Sequence, residues 1–351
     1  MARRDEREYR EYLNEEQRSQ PGCSAGRMQL EFHHGLLALT CLAFAGGLLT
    51  AQARTFKVAF YNIRSGMGIQ PLGGRPAPFA ETVNCDPASG RVNAWGAGKV
   101  QAELAKSVKN DSLVLALGLA EAWNCASPKQ VREALQWKAD SGERNGVALL
   151  ARYGFSNNPE FLQLDTSTNK NPRDTMWIVR GRVCLDDTCS GTVDVYATHW
   201  SGNGPRARET YDRQAQQSVE FMAGSTAAHA LVGDLNVFEG DAPVCGQTPN
   251  NSSLTFLRRA GYVDAWPAVH GRAEGFTGMV NRHGCGQPDG YPWKRIDYGW
   301  SKDLAPIGIE RFGIVPAGEA APSDHFGIVV EYPRLHEKVR NLDRATPKIA
   351  Q

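Results

Sequence analysis

The chain has 351 residues, of which 41% are apolar, with 36 glycines and a formal net charge of +1. That is enough for one large globular domain or two ordinary ones. The near-neutral balance excludes a strong overall field steering the chain to nucleic acid or anionic membrane, although a local basic patch is compatible with it.

Residues 1–27 are highly charged and show no apolar face; GLLALTCLAFAGGLLTAQA follows. This run is too short and glycine-rich for a membrane span. It ends in Ala51-Gln52-Ala53, the small-x-small pattern of a cleaved secretory signal. We therefore expect a leader over 1–53, cleavage near Ala53, and a secreted or periplasmic mature chain without a transmembrane segment; an uncleaved anchor is the alternative. Six cysteines remain beyond the leader, an even number that suits disulfides in an exported chain. Cys184 and Cys189 flank a turn-like Leu-Asp-Asp-Thr and form the first expected pair. Cys85–Cys125 and Cys245–Cys285 follow by proximity in sequence.

From Thr55 onward, apolar strands alternate with loops and helical stretches. FKVAFYNI reads as a strand, and residues 96–108 carry helical spacing at Val100, Leu104 and Val108. LVLALGLAEAW begins as a buried strand. SPKQVREALQW reads as a helix with Ser127 as N-cap and Pro128 in the first turn. GVALLARY, TMWIVRGRV, TVDVYATHW, HALVGDLNV, RIDYGW and HFGIVVEY are six further strands, and residues 205–224 form the longest helix candidate. Strands apolar on both faces, with helices between them, fit two packed sheets covered by helices. The insert at 66–98 is long for a connection and is expected to overhang the site. Residues 335–351 read as a polar tail.

The strand ends are unusual. Asn62, Glu121, His199, Asp234 with Asn236, Asp297, and Asp324-His325 each stand at or near one end of an apolar strand. If the sheets align, these ends converge. Carboxylate and amide oxygens suit a hard cation such as Mg²⁺ or Mn²⁺. A metal, an acid and imidazoles together suit hydrolysis of a phosphoester, with water activated by the carboxylate and charge stabilised by imidazole.

These residues resemble the endonuclease/exonuclease/phosphatase superfamily. The motifs, in order, are YNIRSG, AEAW, THWSG, GDLN, RIDY and SDH, and the resemblance spans about residues 55–333. It implies a four-layer α/β/β/α sandwich, two mixed β-sheets face to face with helices outside, in a catalytic domain over 54–334. It implies Asn62, Glu121 and Asp324 as metal ligands, with Mg²⁺ as the ion and Mn²⁺ or Ca²⁺ as substitutes. Asp234 would orient or activate water, Asn236 would position water or phosphate, and Asp297 would hold His325. His325 and His199 would contact the phosphate. The chain departs from the pattern at Ala120, where many relatives carry Gln, and at Trp123, where deoxyribonuclease-like relatives often carry Arg.

Each residue also has a plainer reading. Asp234 and Asn236 form an Asx turn, His199 sits in the core, and Asp297 pairs with Arg295. Trp123 and Trp200 either stack on substrate or pack in the core. Arg206, with Arg208 and Arg213, either reaches substrate phosphate or belongs to a solvated helix face. The expected activity is phosphodiester hydrolysis, with nucleic acid favoured over phospholipid as the partner. A lipid headgroup phosphodiesterase, a phosphomonoesterase and a non-catalytic binding protein are the rivals.

Overall fold

Side chains alternate across a strand, so a strand between two apolar layers must be apolar at both parities. β1 (Thr55–Asn62) does this: Phe56, Val58 and Phe60 enter one core, while Ala59 and Tyr61 enter another. The computed structural model describes residues 55–66, 68, 97–123, 126–168, 175–202, 206–278, 280, 291–316 and 318–334. The expected leader, the polar tail, the bulk of the 66–98 insert and the pair Cys85–Cys125 lie outside them.

The strands are β1, β2 (Val114–Ala120), β3 (Ala139–Asp140), β4 (Ala148–Ala151), β5 (Glu160–Leu164), β6 (Met176–Cys184), β7 (Thr192–His199), β8 (His229–Asp234), β9 (Val263–Asp264), β10 (Asp297–Lys302), β11 (Gly308–Phe312) and β12 (Gly327–Pro333). They form two six-stranded sheets, ordered β11-β12-β1-β2-β4-β3 and β5-β6-β7-β8-β10-β9. Both are mixed: β1 runs parallel to β2 and antiparallel to β12, and β7 runs parallel to β8 and antiparallel to β6. The sheets lie face to face, β1 over β8 and β2 over β7. Phe60, Val195, Ala197 and Val232 fill the space between them. Gly118 lies at a close approach of the sheets, where a Cβ would stand 2.9 Å from Ala197 Cβ.

Helices complete four layers. α1 (Ala97–Leu104), continued by a π turn over Ala105–Lys109, and α2 (Pro128–Leu135) cover the first sheet through Val100, Leu104, Val131 and Leu135. α3 (Ala207–Ala223) and α4 (Asn251–Arg259) cover the second through Ala215, Met222, Leu254 and Leu257. α5 (Ala265–His270) is short. The α2 start follows its sequence signal: Ser127 and Gln130 form a reciprocal capping box, with Pro128 at the first turn. The sandwich is the expected one. Short or weakly patterned elements, namely β3, β5, β9, β11, α4 and α5, are absent from the sequence reading.

Cys184–Cys189 is a disulfide, with Cα atoms 4.7 Å apart. Cys245 is also disulfide-bonded; its expected partner Cys285 lies outside the described residues. Among the described residues, no helix is long and apolar enough to cross a membrane.

Candidate active site

Parity carries the polar strand ends to one place. Asn62 shares the inner face of β1 with Val58 and Phe60, so its side chain enters the seam between the sheets. His199 shares the parity of Val195 and Ala197 on β7, and Asp234 that of Ala230 and Val232 on β8. Asp297 starts β10 with Tyr298 and Trp300 at the opposite parity, in the outer core. Backbone pairing places Asp234 directly opposite both His199 and Asp297. The first sheet thus brings Asn62, Glu121, Asp324 and His325, and the second His199, Asp234, Asn236 and Asp297.

Asp234 Oδ2 is the centre of this group. Asn62 Nδ2 donates to it at 3.0 Å and to Glu121 Oε1 at 3.2 Å. His199 Nε2 and His325 Nε2 stand 3.6 and 3.7 Å from the same oxygen. The other oxygen, Oδ1, accepts from the Asn236 backbone N–H at 2.9 Å. The Asx turn is therefore present, and it fixes the carboxylate while leaving Oδ2 to the site. Asn236 is left-handed at φ 52°, a conformation that asparagine tolerates. Its amide meets His199 Nε2 at 3.1 Å and donates to the Trp200 carbonyl at 2.9 Å. Glu121 is also left-handed, at φ 52°, which breaks the β2 alternation and turns it out of the helix-side layer.

Asp297 Oδ2 and His325 Nδ1 are 2.9 Å apart, both buried. Arg295 pairs instead with Asp264, at 2.7 and 2.8 Å, so Asp297 is left to the histidine. Burial lowers the His325 pKa, but the charges of Asp297 and Asp234 and the Asp297 bond outweigh it and raise it to about 10. Asp234 is raised above the ordinary carboxylate range, first by burial and then by Asp297, against the opposing influence of both histidines. The two shifts have a common origin in ionisable groups that share one dry volume.

A cation has two candidate seats. Among the described His, Cys, Asp and Glu residues, Asp234, Asp297 and His325 each offer a ligand atom within 4.8 Å of the others. His325 there is already bonded through Nδ1 to Asp297 at 2.9 Å and faces Asp234 through Nε2 at 3.7 Å, so both ring nitrogens have carboxylate neighbours. The oxygens of Glu121, Asn62 and Asp324 suit a hard cation better. Asp324 is half-buried and lies 3.8 Å from Arg64 Nε. Among the described residues, Asp297 Oδ1 is buried without a hydrogen-bond partner, and four carboxylates meet two imidazoles here, so the donor chemistry fits an added positive charge.

Other expected contacts separate. Trp200 is fully buried at the outer parity, its indole N–H donating to Ser218 Oγ at 3.2 Å. It packs in the core and offers no surface to a substrate. Trp123 is half-buried and lies against Gly146, where a Cβ would come within 2.3 Å of its ring. Arg206 is exposed and ion-paired with Glu209. Sequence reading passes over two hydroxyls that hold the site. Ser323 Oγ donates to the Asn62 carbonyl at 2.6 Å and accepts from the His325 N–H at 3.2 Å. Thr277 Oγ1 accepts from the backbone N–H of Asp297 at 3.0 Å. Ser323 stands inside the SDH motif; Thr277 carries no local signal.

No protein-family model and no curated protein matches the chain. Solved structures do. An endonuclease/exonuclease/phosphatase from Beutenbergia cavernae aligns at TM-score 0.55 and 18% identity, covering 80% of this chain and 72% of its own. A Bacteroides thetaiotaomicron mannosyl-6-phosphatase aligns at 0.51 and 18% identity, covering 79% and 99%. A humanized D. rerio TDP2 aligns at 0.51 and 12% identity, covering 80% and 99%. The chain has the endonuclease/exonuclease/phosphatase sandwich fold.

Proposed function

We propose that the chain is an exported, metal-dependent phosphodiester hydrolase whose substrate is nucleic acid. The observation that carries this reading is the convergence on Asp234 Oδ2 of Asn62 at 3.0 Å, His199 at 3.6 Å and His325 at 3.7 Å, with Asp297 behind His325. A carboxylate made more basic by burial is suited to take a proton from water. The water oxygen then bonds to phosphorus in line with the departing oxygen, and that P–O bond breaks. His325, held by Asp297, stabilises the charge that gathers on phosphate and leaving oxygen, and His199 and Asn236 orient the phosphate. Glu121, Asn62 and Asp324 would hold the cation, taken as Mg²⁺, which supplies charge neutralisation and polarises a phosphate oxygen. Export is supported by the cleavage pattern at Ala51-Gln52-Ala53 and by the Cys184–Cys189 bridge.

The test takes the oxidised, exported chain with supercoiled plasmid at low salt and millimolar Mg²⁺. Parallel reactions use bis(p-nitrophenyl) phosphate and p-nitrophenyl phosphate. We expect plasmid nicking that EDTA and Asp234→Ala both abolish. Hydrolysis of the generic diester without nicking moves the substrate to a lipid or small phosphodiester. Hydrolysis of the monoester alone makes the chain a phosphomonoesterase. No hydrolysis at all sinks the enzymatic reading and leaves a binding protein.

A further inference from the structure

Three arginines follow His199, and the fold separates them. Arg206 is paired with Glu209; Arg213 is paired with Asp165 at 3.0 Å and Glu209 at 3.9 Å. Arg208 is exposed and donates from Nε to Ser252 Oγ at 3.3 Å. Among the described residues, no carboxylate stands within ion-pair distance of it.

Arg208 also lines a cavity of about 620 Å³ that opens beside Asn236, a volume in the range that encloses a nucleotide-sized ligand. Tyr211 lies three residues on, on the same face of α3, and is half-buried with its hydroxyl donating to the Gly202 carbonyl at 3.3 Å. Phe238 contributes an apolar wall, and buried Lys294 donates from Nζ to Gln247 Oε1 at 3.1 Å on the same lining. Among the described residues, no aspartate or glutamate lines the cavity. Two cationic side chains, a phenol and an apolar wall thus adjoin the amide that contacts His199.

We propose that this cavity is a subsite for the nucleotide next to the scissile bond, with Arg208 on its phosphate and Tyr211 against its base or sugar. A planar guanidinium matches phosphate oxygens in a bidentate fork, and an aromatic face accepts any base. The same lining disfavours a cationic headgroup such as choline. This inference rests on the phosphodiesterase reading and specifies its substrate on one side of the cleaved bond.

The experiment compares the native chain with Arg208→Gln, Arg208→Lys and Arg259→Gln, the last a charge-matched change on exposed α4 outside the cavity. The first readout is the ratio of kcat/KM for a hexathymidylate to that for bis(p-nitrophenyl) phosphate. We expect it to fall about tenfold in R208Q, by the loss of one charge-assisted phosphate contact. It recovers in part in R208K and stays at the native value in R259Q. Equal losses on both substrates, or an equal loss in R259Q, overturn the subsite. The second readout is anisotropy of fluorescein-labelled hexathymidylate in EDTA, where the salt slope should drop by about 0.7 in R208Q. A native slope in R208Q overturns the subsite even if hydrolysis is intact. R208-dependent binding without hydrolysis of any phosphoester supports the subsite while refuting the catalytic reading.

Discussion

Asp194 and His199 occupy the same strand, β7, at opposite parities and opposite ends, and Asp194→Asn should separate stability from chemistry. The Asp194 carboxylate is fully buried. It accepts from Arg180 at 2.7 Å, from Arg182 at 2.9 and 3.3 Å, and from Ser225 Oγ, just beyond α3, at 2.7 Å. Burial pushes its pKa up, but bonds from Arg182, Ser225 and Arg180 outweigh burial and bring it from 3.8 to about 2. The unfolded chain therefore takes up the proton first as pH falls. The stabilisation is complete above about pH 5 and is lost on the way down to about pH 2, and it amounts to about 2 kcal/mol. The asparagine variant also leaves Arg180 facing Arg182 without their shared anion, which at pH 7 should cost about 3 kcal/mol. The assay is urea unfolding followed by tryptophan fluorescence between pH 7 and pH 2. The gap between native and variant should narrow by about 2 kcal/mol as pH drops, while folded variant at pH 7 retains native turnover. A gap that stays constant across this range would refute the linkage, and lost turnover in folded protein would refute the separation of the two strand faces.

Asp297→Asn should lower kcat roughly 10²- to 10⁴-fold, because His325 loses the charge and bond that fix it; native-like circular dichroism with native turnover would exclude the assigned role. EDTA should abolish turnover and Mg²⁺ should restore it. Mg²⁺ should also raise the native Tm, by mass action on a folded-state site, and raise it less in Glu121→Gln; equal shifts would remove Glu121 from the cation site. Gly146→Ala should destabilise the fold by more than about 1 kcal/mol, since φ is +78° and the new Cβ meets the Trp123 ring at 2.3 Å; thermal melts decide it.

The sequence is legible where apolar runs are long and flanked by a chemical exception. β1, β2, β7, β8 and β10 all emerge from such runs, and their terminal polar residues are the candidate site. Parity along each strand carries further information. Trp200 follows Tyr196 and Thr198 onto the helix side, whereas His199 follows Val195 and Ala197 into the seam. Counting by twos assigns Trp200 to the core. β5 and β11 escape notice because each is a five-residue edge strand with mixed polarity. The anchoring of Asp297 by Thr277 depends on a tertiary approach between residues 20 apart, which no local pattern reports. The same holds for the arginines after His199, whose ion-pair partners Glu209 and Asp165 sort them only after folding.

The candidate constellation is divided evenly between two sheets, and Gly118 and Gly299 sit where those sheets approach closely. Neither sheet holds the candidate set by itself. With the proposed general base on one side and its supporting imidazole on the other, turnover becomes a gauge of seam width. Anything that wedges the sheets apart by a fraction of an ångström lengthens Asn62–Asp234 and His325–Asp297 together, while both ladders and all four helical faces stay intact. Inactivation of this protein should therefore run ahead of its unfolding, with strand content preserved in molecules that no longer work.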